Sequence, residues 1–358
     1  MSSARRLGDA ERHLACLCRE LIERGHEVFV ALRPTNQWQD ALDFLPPENF
    51  LYVSVRNSFG MLSVRQIARF VEDRKIDILH AHGAKDYLAA SVVRRSAGGT
   101  KLVLTRHVDR PLKPFHRFAL RNVDGAIAVS PVIREHLALI FPADRIFTVM
   151  SGIQCDDRAA KAAAVRRKEF RLFHGIDPAG PLIAAVGELK VSNGQRDLVL
   201  AANEVVKRFP RCRFVIAGSD PSIDRKFRRE LKRLVKVLGL EHQFIWLETM
   251  QDTSSVVAAA DIIVSLTHTG EVAPAILEAI AAGVAVISTA TDDVIGPEDA
   301  IAAKDPLALA QAITRYLEDE GLRTRTVDRL QSAVRKRFSV ARMIDETECV
   351  YRDLQRGL

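Results

Sequence analysis

Two carboxylates, Glu271 and Glu278, lie seven residues apart in the stretch of sequence whose residue types most suggest chemistry. Pro274 suits the first turn of a helix, and Gly283 suits its end. Glu271 is therefore predicted in the loop before a helix and Glu278 about one turn inside it. Free N–H groups at a helix start favour a phosphate, so we expect both carboxylates to line one anion-binding cleft. A helix-dipole partner and a solvated helix residue are the structural alternatives.

His107 follows an apolar, strand-like run at 101–106. Catalytic groups collect at the carboxyl ends of parallel strands, and an imidazole exchanges hydrogen bonds with a sugar hydroxyl. A packed surface histidine is the alternative. His80 and His82 stand in another strand-like run, where we expect them to point to opposite sides, with His82 toward the cleft.

Apolar runs alternate with helix-period segments along the whole chain, which predicts an α/β fold with parallel sheets. The first half contains six predicted strands, at 27–33, 51–55, 77–82, 101–106, 125–130 and 146–150. The second half contains five, at 182–187, 213–218, 243–247, 261–266 and 284–289. Two such series predict two doubly wound domains.

The predicted organisation has four parts. We expect an N-terminal Rossmann-like domain at 1–153 and a polar, basic linker at 154–175. A second Rossmann-like domain is expected at 176–335, followed by a helix at 336–358. The chain opens with a loop that leads straight into a helix, whereas such domains normally begin with a mid-sheet strand. We expect that strand to be lost or to lie upstream of Met1, and a domain that simply begins with a helix is the alternative.

Composition excludes several classes of protein. Of the 358 residues, 47% are hydrophobic and 27% are charged, which excludes a disordered chain. No apolar run reaches the roughly 18 residues that a membrane span needs, and no signal peptide is evident, so we expect a cytoplasmic protein. The net charge of +7 favours a phosphorylated ligand or an anionic membrane surface. Nucleic-acid-binding signatures are missing from the sequence, so we expect no nucleic-acid partner.

A basic segment at 110–121 follows His107 and mixes Arg and Lys with Leu and Phe. Such a segment suits an anionic membrane or a lipid-linked acceptor, which would place the protein at the inner face of the membrane. An ordinary basic surface helix is the alternative.

The stretch around Glu271 and Glu278 resembles the signature of the family-4 glycosyltransferases, in which two glutamates flank the start of a short helix that leads through a glycine into a strand. Similar stretches extend over nearly the whole chain, at 8–28, 77–82, 104–107, 128–130, 149–153 and 185–187. The resemblance implies the GT-B fold, with two Rossmann-like domains facing across a cleft. The same resemblance implies that the C-terminal helix at 336–358 crosses back to the first domain. It also implies retaining transfer from a nucleoside diphosphate sugar to a cell-surface glycan or lipid-linked acceptor.

Site residues follow from the same resemblance. It implies that Glu271 and His107 position the donor sugar and that Glu278 hydrogen-bonds the ribose of the nucleotide. The remaining donor contacts implied are Gly8, Gly187, Lys190, Asn193, Gly270, Val272 and Ala273. We expect no metal ion and no cofactor, because cations and N–H groups would hold the diphosphate of the donor substrate.

Three departures from the family pattern put activity in question. Asp9 stands where the first loop usually has a second glycine, and Glu188 and Asn193 stand where an Arg and a Lys usually neutralise the diphosphate. Lys190 or Arg196 would have to substitute. A non-catalytic homologue that acts as a sugar-nucleotide-binding or assembly partner is therefore the alternative, and a nucleotide-sugar epimerase is a third. An oxidoreductase is excluded because no Gly-x-Gly-x-x-Gly follows a first strand.

Overall fold

A computed structural model describes residues 1–53, 60–108, 120–153, 157–248, 253–266, 274–291, 294–297 and 300–357. The chain divides into two compact units. The first unit contains Met1–Gly152 together with Val340–Leu358, and the second contains Ile153–Ser339. Within the described ranges, no helix combines the length and the apolar character needed to cross a bilayer.

The first unit is built from short parallel strands and flanking helices. Its strands are β1 (Val30–Leu32), β2 (Phe50–Tyr52), β3 (Ile78–Ala81), β4 (Lys101–Arg106), β5 (Gly125–Ala128) and β6 (Ile146–Thr148). Its first helices are α1 (Asp9–Glu23), α2 (Gly60–Asp73), α3 (Tyr87–Ser96) and α4 (Pro131–Ala138). β1 pairs with β2, and β3 to β6 form a four-stranded sheet in sequence order, with all pairs parallel.

Met1 and Ser2 lie between these two groups of strands. The Ser2 amide donates to the Ala31 carbonyl over 3.1 Å, and the Met1 amine donates to the His80 carbonyl over 2.8 Å. The two residues therefore bridge β1 and β3. Beside them a cavity of about 360 Å³ continues between the same strands under α1 and α2.

The last described helix, α12 (Val340–Arg356), belongs to the first unit. Its apolar face packs on α1 and on the centre of the sheet, where Leu17, Val103 and Ile127 are buried. Burying each side chain of this size stabilises a fold by about 1.5–3 kcal/mol. The C-terminal segment of the chain therefore contributes to the stability of the first unit.

The second unit has one five-stranded parallel sheet in the order β11-β10-β7-β8-β9. Its strands are β7 (Leu182–Val186), β8 (Arg213–Ala217), β9 (Phe244–Leu247), β10 (Ile262–Ser265) and β11 (Ala285–Ser288). Its helices are α5 (Asp157–Phe173), α6 (Gln195–Arg208), α7 (Lys226–Val237), α8 (Thr253–Ala259), α9 (Pro274–Ala281), α10 (Pro306–Glu318) and α11 (Glu320–Phe338). The first strand, β7, is central, and the following strands lie on both of its sides. This arrangement defines a doubly wound sheet with a topological switch point between β7 and β10.

The predicted linker at 154–175 is different in the structure, because most of it is helix α5 within the second unit. The reason is Arg171, which is 4% exposed although its helix is rich in basic residues. Its guanidinium donates to the carbonyls of Ala259 and Gly180 and to the carboxylate of Asp261. These bonds fix α5 to α8 and to the starts of the central strands.

Candidate functional site

The loop that follows β7 carries the predicted cation of the nucleotide site. The Lys190 ammonium forms an ion pair with the Glu188 carboxylate, and both side chains are about half exposed. The Glu188 carbonyl accepts hydrogen bonds from the Asn193 side chain over 2.8 Å and from Gln195 over 2.9 Å. These hydrogen bonds hold the two ends of the loop together. The Asn193 side chain therefore stabilises the conformation of the loop.

The β7–α6 loop lies beside the end of β10 at the switch point of this sheet. β7 and β10 are neighbours, with Ile183 opposite Ile262. Gly194 has a φ of 62° and lies against Leu266, so that a Cβ on Gly194 would come within 2.8 Å of the Leu266 carbonyl oxygen. Only glycine fits this close approach. The start of α6 is thereby held beside the chain that leaves β10, where open α/β sheets bind ligands.

Glu278 is half-buried on helix α9, which follows the connection from β10. The helix begins at Pro274 and ends before Gly283, whose φ of 79° and amide bond to the Ile280 carbonyl form the predicted C-cap. The helix limits predicted from Pro274 and Gly283 are thus confirmed. The nucleotide role of Glu278 stays a prediction.

Four of the predicted residues, Glu271, Gly270, Val272 and Ala273, lie outside the described residues. The same holds for 110–119, most of the basic segment predicted to meet a membrane or a lipid-linked acceptor.

Gly187 and Gly8 stand at the two predicted phosphate-binding loops. Gly187 directly follows β7, and its amide donates to the Ala217 carbonyl over 2.9 Å. Gly8 precedes α1, and its amide donates to the Glu11 carboxylate over 3.2 Å. Asp9 is the first residue of α1. The backbone N–H groups of both glycines are therefore already bound within the protein.

Histidines gather at the carboxyl ends of β3 and β4. His107 directly follows β4, His82 follows β3, and His13 lies on the first turns of α1. The rings of His80 and His82 are only 4.2 Å apart. The expectation that they point to opposite sides was wrong, because residues two apart on a strand share a face.

Burial controls the charge of this histidine group. It lowers the pKa of His13 to about 4, and burial together with His13 and Arg106 lowers the pKa of His107 to about 3. The pKa values of His80 and His82 are held well below 6.5, first by burial and then by neighbouring positive groups. All four imidazoles are therefore neutral at pH 7.

Sequence reasoning missed His13 and Glu11 as members of this region. Both lie on α1, whose packing places the His13 ring 5.7 Å from the His82 ring and 4.8 Å from the His107 ring. The Glu11 carboxylate accepts hydrogen bonds from the Gly8 amide and the Ser2 hydroxyl. One signal was available, since His13 is two turns or less from Gly8 at the start of a helix that faces the carboxyl ends of the strands.

Comparison with known proteins identifies the class of this chain. Residues 10–157 match Glycosyltransferase Family 4, and residues 180–319 match Glycosyl transferases group 1. The structure resembles Anabaena Alr3699/HepE, crystallised in complex with UDP, with a TM-score of 0.72 over 98% of each chain at 17% identity. The fold is thus GT-B, and the chain is a glycosyltransferase homologue of that fold. It belongs to the family-4 glycosyltransferases, as the resemblance in its sequence implied.

Several relatives extend over almost the whole chain. The N-acetyl-alpha-D-glucosaminyl L-malate synthase of Bacillus anthracis is 23% identical over 367 aligned residues, which cover 95% of this chain and 92% of the relative. The lipopolysaccharide core biosynthesis glycosyltransferase LpsE of Rhizobium meliloti (strain 1021) is 26% identical over 345, covering 93% and 92%. Neither relative fixes the donor or the acceptor of this chain.

Proposed function

We propose that this chain transfers a sugar from a nucleoside diphosphate sugar to a cell-surface glycan or lipid-linked acceptor, with retention at the anomeric carbon. The observation that carries the proposal is the close approach of the β7–α6 loop to the end of β10 at the switch point, where Gly194 lies against Leu266. The complex of Anabaena Alr3699/HepE with UDP and the lipopolysaccharide role in the name of the LpsE relative support it.

The roles of the residues follow from their chemistry and position. The Glu278 carboxylate accepts hydrogen bonds from the ribose hydroxyls. The N-terminus of α6, a helix of 14 residues, stabilises the diphosphate through its dipole and its first N–H groups, together with Lys190. His107, neutral at pH 7, exchanges a hydrogen bond with a hydroxyl of the donor sugar. Glu271 holds a second sugar hydroxyl.

In the proposed reaction, the acceptor hydroxyl oxygen forms a bond to the anomeric carbon on the face from which the diphosphate leaves. The bond between that carbon and the phosphate oxygen breaks, and the acceptor proton passes to the departing phosphate. Negative charge therefore grows on the diphosphate. Each well-placed donor to such a charge contributes about 10²–10³ in rate, so Lys190 and the start of α6 carry most of the stabilisation.

The alternative is a homologue that binds the nucleotide sugar without transferring the sugar. One observation favours it, namely that the carboxylate of Glu188 neutralises Lys190. The two functions share the binding site and differ only in turnover.

Turnover assays with several nucleotide sugars distinguish the transferase from the non-catalytic homologue. The purified chain is incubated with UDP-glucose, UDP-N-acetylglucosamine, UDP-galactose and GDP-mannose, and released UDP or GDP is measured with a coupled assay. We expect slow release from one donor, with the first released sugar in the donor's anomeric configuration by NMR. Release of the opposite anomer would contradict retention, and nucleotide binding without release from any donor would favour the non-catalytic alternative.

A further inference from the structure

A space one strand wide separates β1 from β3 in the first unit, and Met1 and Ser2 lie at its end. The Met1 amine donates to the His80 carbonyl over 2.8 Å, and the His82 amide donates to the Met1 carbonyl over 3.3 Å. Ser2 forms a parallel bridge with Leu32 of β1. Neighbouring strands are about 4.8 Å apart, so β1 and β3 are roughly 9–10 Å apart here. Met1 and Ser2 therefore already bond as the last residues of a parallel strand between them.

The space continues from Met1 toward the amino ends of β1 and β3 as a cavity of about 360 Å³, which we call the slot. Val30 and Ile78 line its two edges, and the charged Asp77 lies at its far end. Met1 is opposite Ala81, because it bonds the residues on either side of Ala81. From Ala81 back to Asp77 is four residues (81 − 77), so the slot has the length of a short strand of about five residues.

Backbone groups of both edges face the slot. The carbonyls of Ala31 and His80 bond Ser2 and Met1, and alternate residues of a strand present their backbone groups to the same neighbour. The amides of Ala31 and His80 and the Ile78 carbonyl therefore point into the slot. Within the ranges that the structure describes, these three groups have no hydrogen-bond partner. Buried backbone groups are normally paired, which favours a peptide strand as the occupant of the slot.

Both faces of the slot are apolar. Val103 of β4 packs with Leu17 of α1, whereas its neighbour Leu104 packs with Ile67 of α2. Successive side chains of a strand point to opposite faces, so α1 and α2 cover opposite faces of the sheet. Leu17 and Ile67 also line the slot. A strand buried on both faces is a nearly continuous apolar run, and we expect that composition of the occupant.

The order of the strands also favours an occupant that precedes β1 in the chain. Across the slot the order is β2, β1, slot, β3, β4, β5 and β6. If the strand in the slot is counted first, this order becomes 3-2-1-4-5-6, which is the usual order of a doubly wound sheet.

The Met1 amine indicates that this strand is joined to Met1. Met1 is only 7% exposed, and burial lowers the pKa of its amine. A charged amine is costly to bury, whereas a peptide amide at the same place would bond the His80 carbonyl without a charge. The environment of this nitrogen therefore suits a peptide bond better than a free amine.

We propose that the slot holds a further parallel strand, an extended apolar segment of about five residues whose carboxyl end is joined to Met1. The residue next to Met1 accepts from the Ala31 amide. The second residue before Met1 accepts from the His80 amide and donates to the Ile78 carbonyl. This strand joins the β1–β2 pair to the four-stranded sheet. The proposal concerns the first unit alone and does not depend on the proposed function.

An N-terminal extension tests the proposal. The chain is produced with Met-Lys-Val-Ile-Val-Val directly before Met1, and as a control with Met-Lys-Ser-Gly-Ser-Ser at the same place. Hydrogen–deuterium exchange is measured by mass spectrometry around Ala31, His80 and, as an internal reference, Val215 of β8. We expect the apolar extension to slow exchange at Ala31 and His80 at least about tenfold relative to the control, without changing exchange at Val215. Its Tm should be at least about 5 °C higher than that of the control.

A proline variant checks the predicted register. Proline replaces the valine that is the second residue before Met1, where it cannot donate to the Ile78 carbonyl. We expect this variant to lose most of the protection and of the gain in Tm.

Four outcomes would overturn the proposal. The first is equal exchange and equal Tm for the apolar and control extensions, and the second is full protection in the proline variant. The third is aggregation of the apolar variant beside a soluble control, because a strand in the slot buries its apolar side chains. The fourth is equal protection of the unextended chain by an equimolar free peptide of the same sequence, which would assign the slot to a separate molecule.

Discussion

Glu188 is the residue that most directly opposes diphosphate binding at the candidate nucleotide site. Its carboxylate pairs with Lys190, the nearest cation of the β7–α6 loop, and both groups are about half exposed. An exposed ion pair of this kind is worth about 1 kcal/mol or less. A diphosphate can therefore replace Glu188 as the ion-pair partner of Lys190. The Glu188 carboxylate repels the diphosphate, however, and this repulsion weakens binding.

We predict that Glu188→Gln strengthens UDP binding at least about threefold, because it removes that repulsion and releases Lys190 at little cost. Lys190→Ala should weaken binding. Calorimetric titration measures both effects. Glu204→Gln is the matched control, since Glu204 forms a similar exposed pair with Lys207 on α6. Unchanged or weaker binding by Glu188→Gln would show that Lys190 does not reach the diphosphate.

The sequence predicted where the candidate site residues lie in the fold better than it predicted their surroundings. Glu278, Lys190 and His107 stand at loops and helices that follow the predicted strands. The pairing of Lys190 with Glu188 and the bond from Gly8 to Glu11 could not be predicted, because both depend on side-chain conformations within loops. The shared face of His80 and His82 could have been predicted, since it follows from the two-residue period of a strand.

At the scale of elements, Asp124 ties α3 and β4 to the start of β5. Its carboxylate accepts bonds from Arg94 and from the Leu102 amide, at 2.9 and 2.8 Å. Burial alone would raise the pKa of Asp124, but these hydrogen bonds outweigh burial and hold the pKa below its usual value. A carboxyl group whose pKa is lower in the folded state stabilises the fold above its unfolded pKa, near 3.9, and loses this effect as pH falls through the folded value.

We predict that Asp124→Asn destabilises the protein by about 1.5–3 kcal/mol at pH 7, the usual worth of hydrogen bonds to a charged group. The difference from the wild type should shrink as the pH is lowered below about 4. Urea unfolding at several pH values measures it, with the exposed Asp144→Asn as control. A difference that stays constant down to pH 2.5 would contradict the assignment.

Arg171 holds helix α5 to the second unit, together with Arg167, which donates to the same Asp261 carboxylate over 2.6 Å. Removing one partner of a buried ion pair costs about 3–5 kcal/mol. We predict that Arg171→Met lowers the Tm by about 10 °C, at 2–4 °C per kcal/mol for a unit of this size. Lys168→Met, an exposed change on the same helix, should have little effect. Equal Tm values for the two variants in a thermal melt would contradict a holding role for Arg171.

The segment at 154–175 shows why an element can be misjudged from composition. Its basic residues indicated an inter-domain linker, yet Arg167 and Arg171 pair with Asp261, which is 94 and 90 residues away. Local polarity cannot reveal a partner so distant in sequence. The apolar runs were more informative, because a central parallel strand such as β7 is buried on both faces and appears as an uninterrupted hydrophobic stretch.

At the scale of the whole molecule, two units built on parallel sheets and the return of α12 to the first unit account for the GT-B architecture. Alternation of apolar runs and helices predicted an α/β fold with two doubly wound domains, since that pattern depends on burial alone. The GT-B fold was implied by the family resemblance. Substrate choice depends instead on side chains at loop ends, and the sequence therefore predicted a nucleotide-sugar site without its base, sugar or acceptor.

Nucleotide binding tests the central claim most directly. Wild-type protein and the Glu278→Gln and Glu204→Gln variants are titrated calorimetrically with UDP and with GDP. We predict that the wild type and Glu204→Gln bind one of the two nucleotides equally well. Glu278→Gln should bind it about 10- to 100-fold more weakly, because hydrogen bonds to a charged group contribute about 1.5–3 kcal/mol. Absence of binding to both nucleotides, or equal binding by a folded Glu278→Gln variant, would contradict the nucleotide-sugar site.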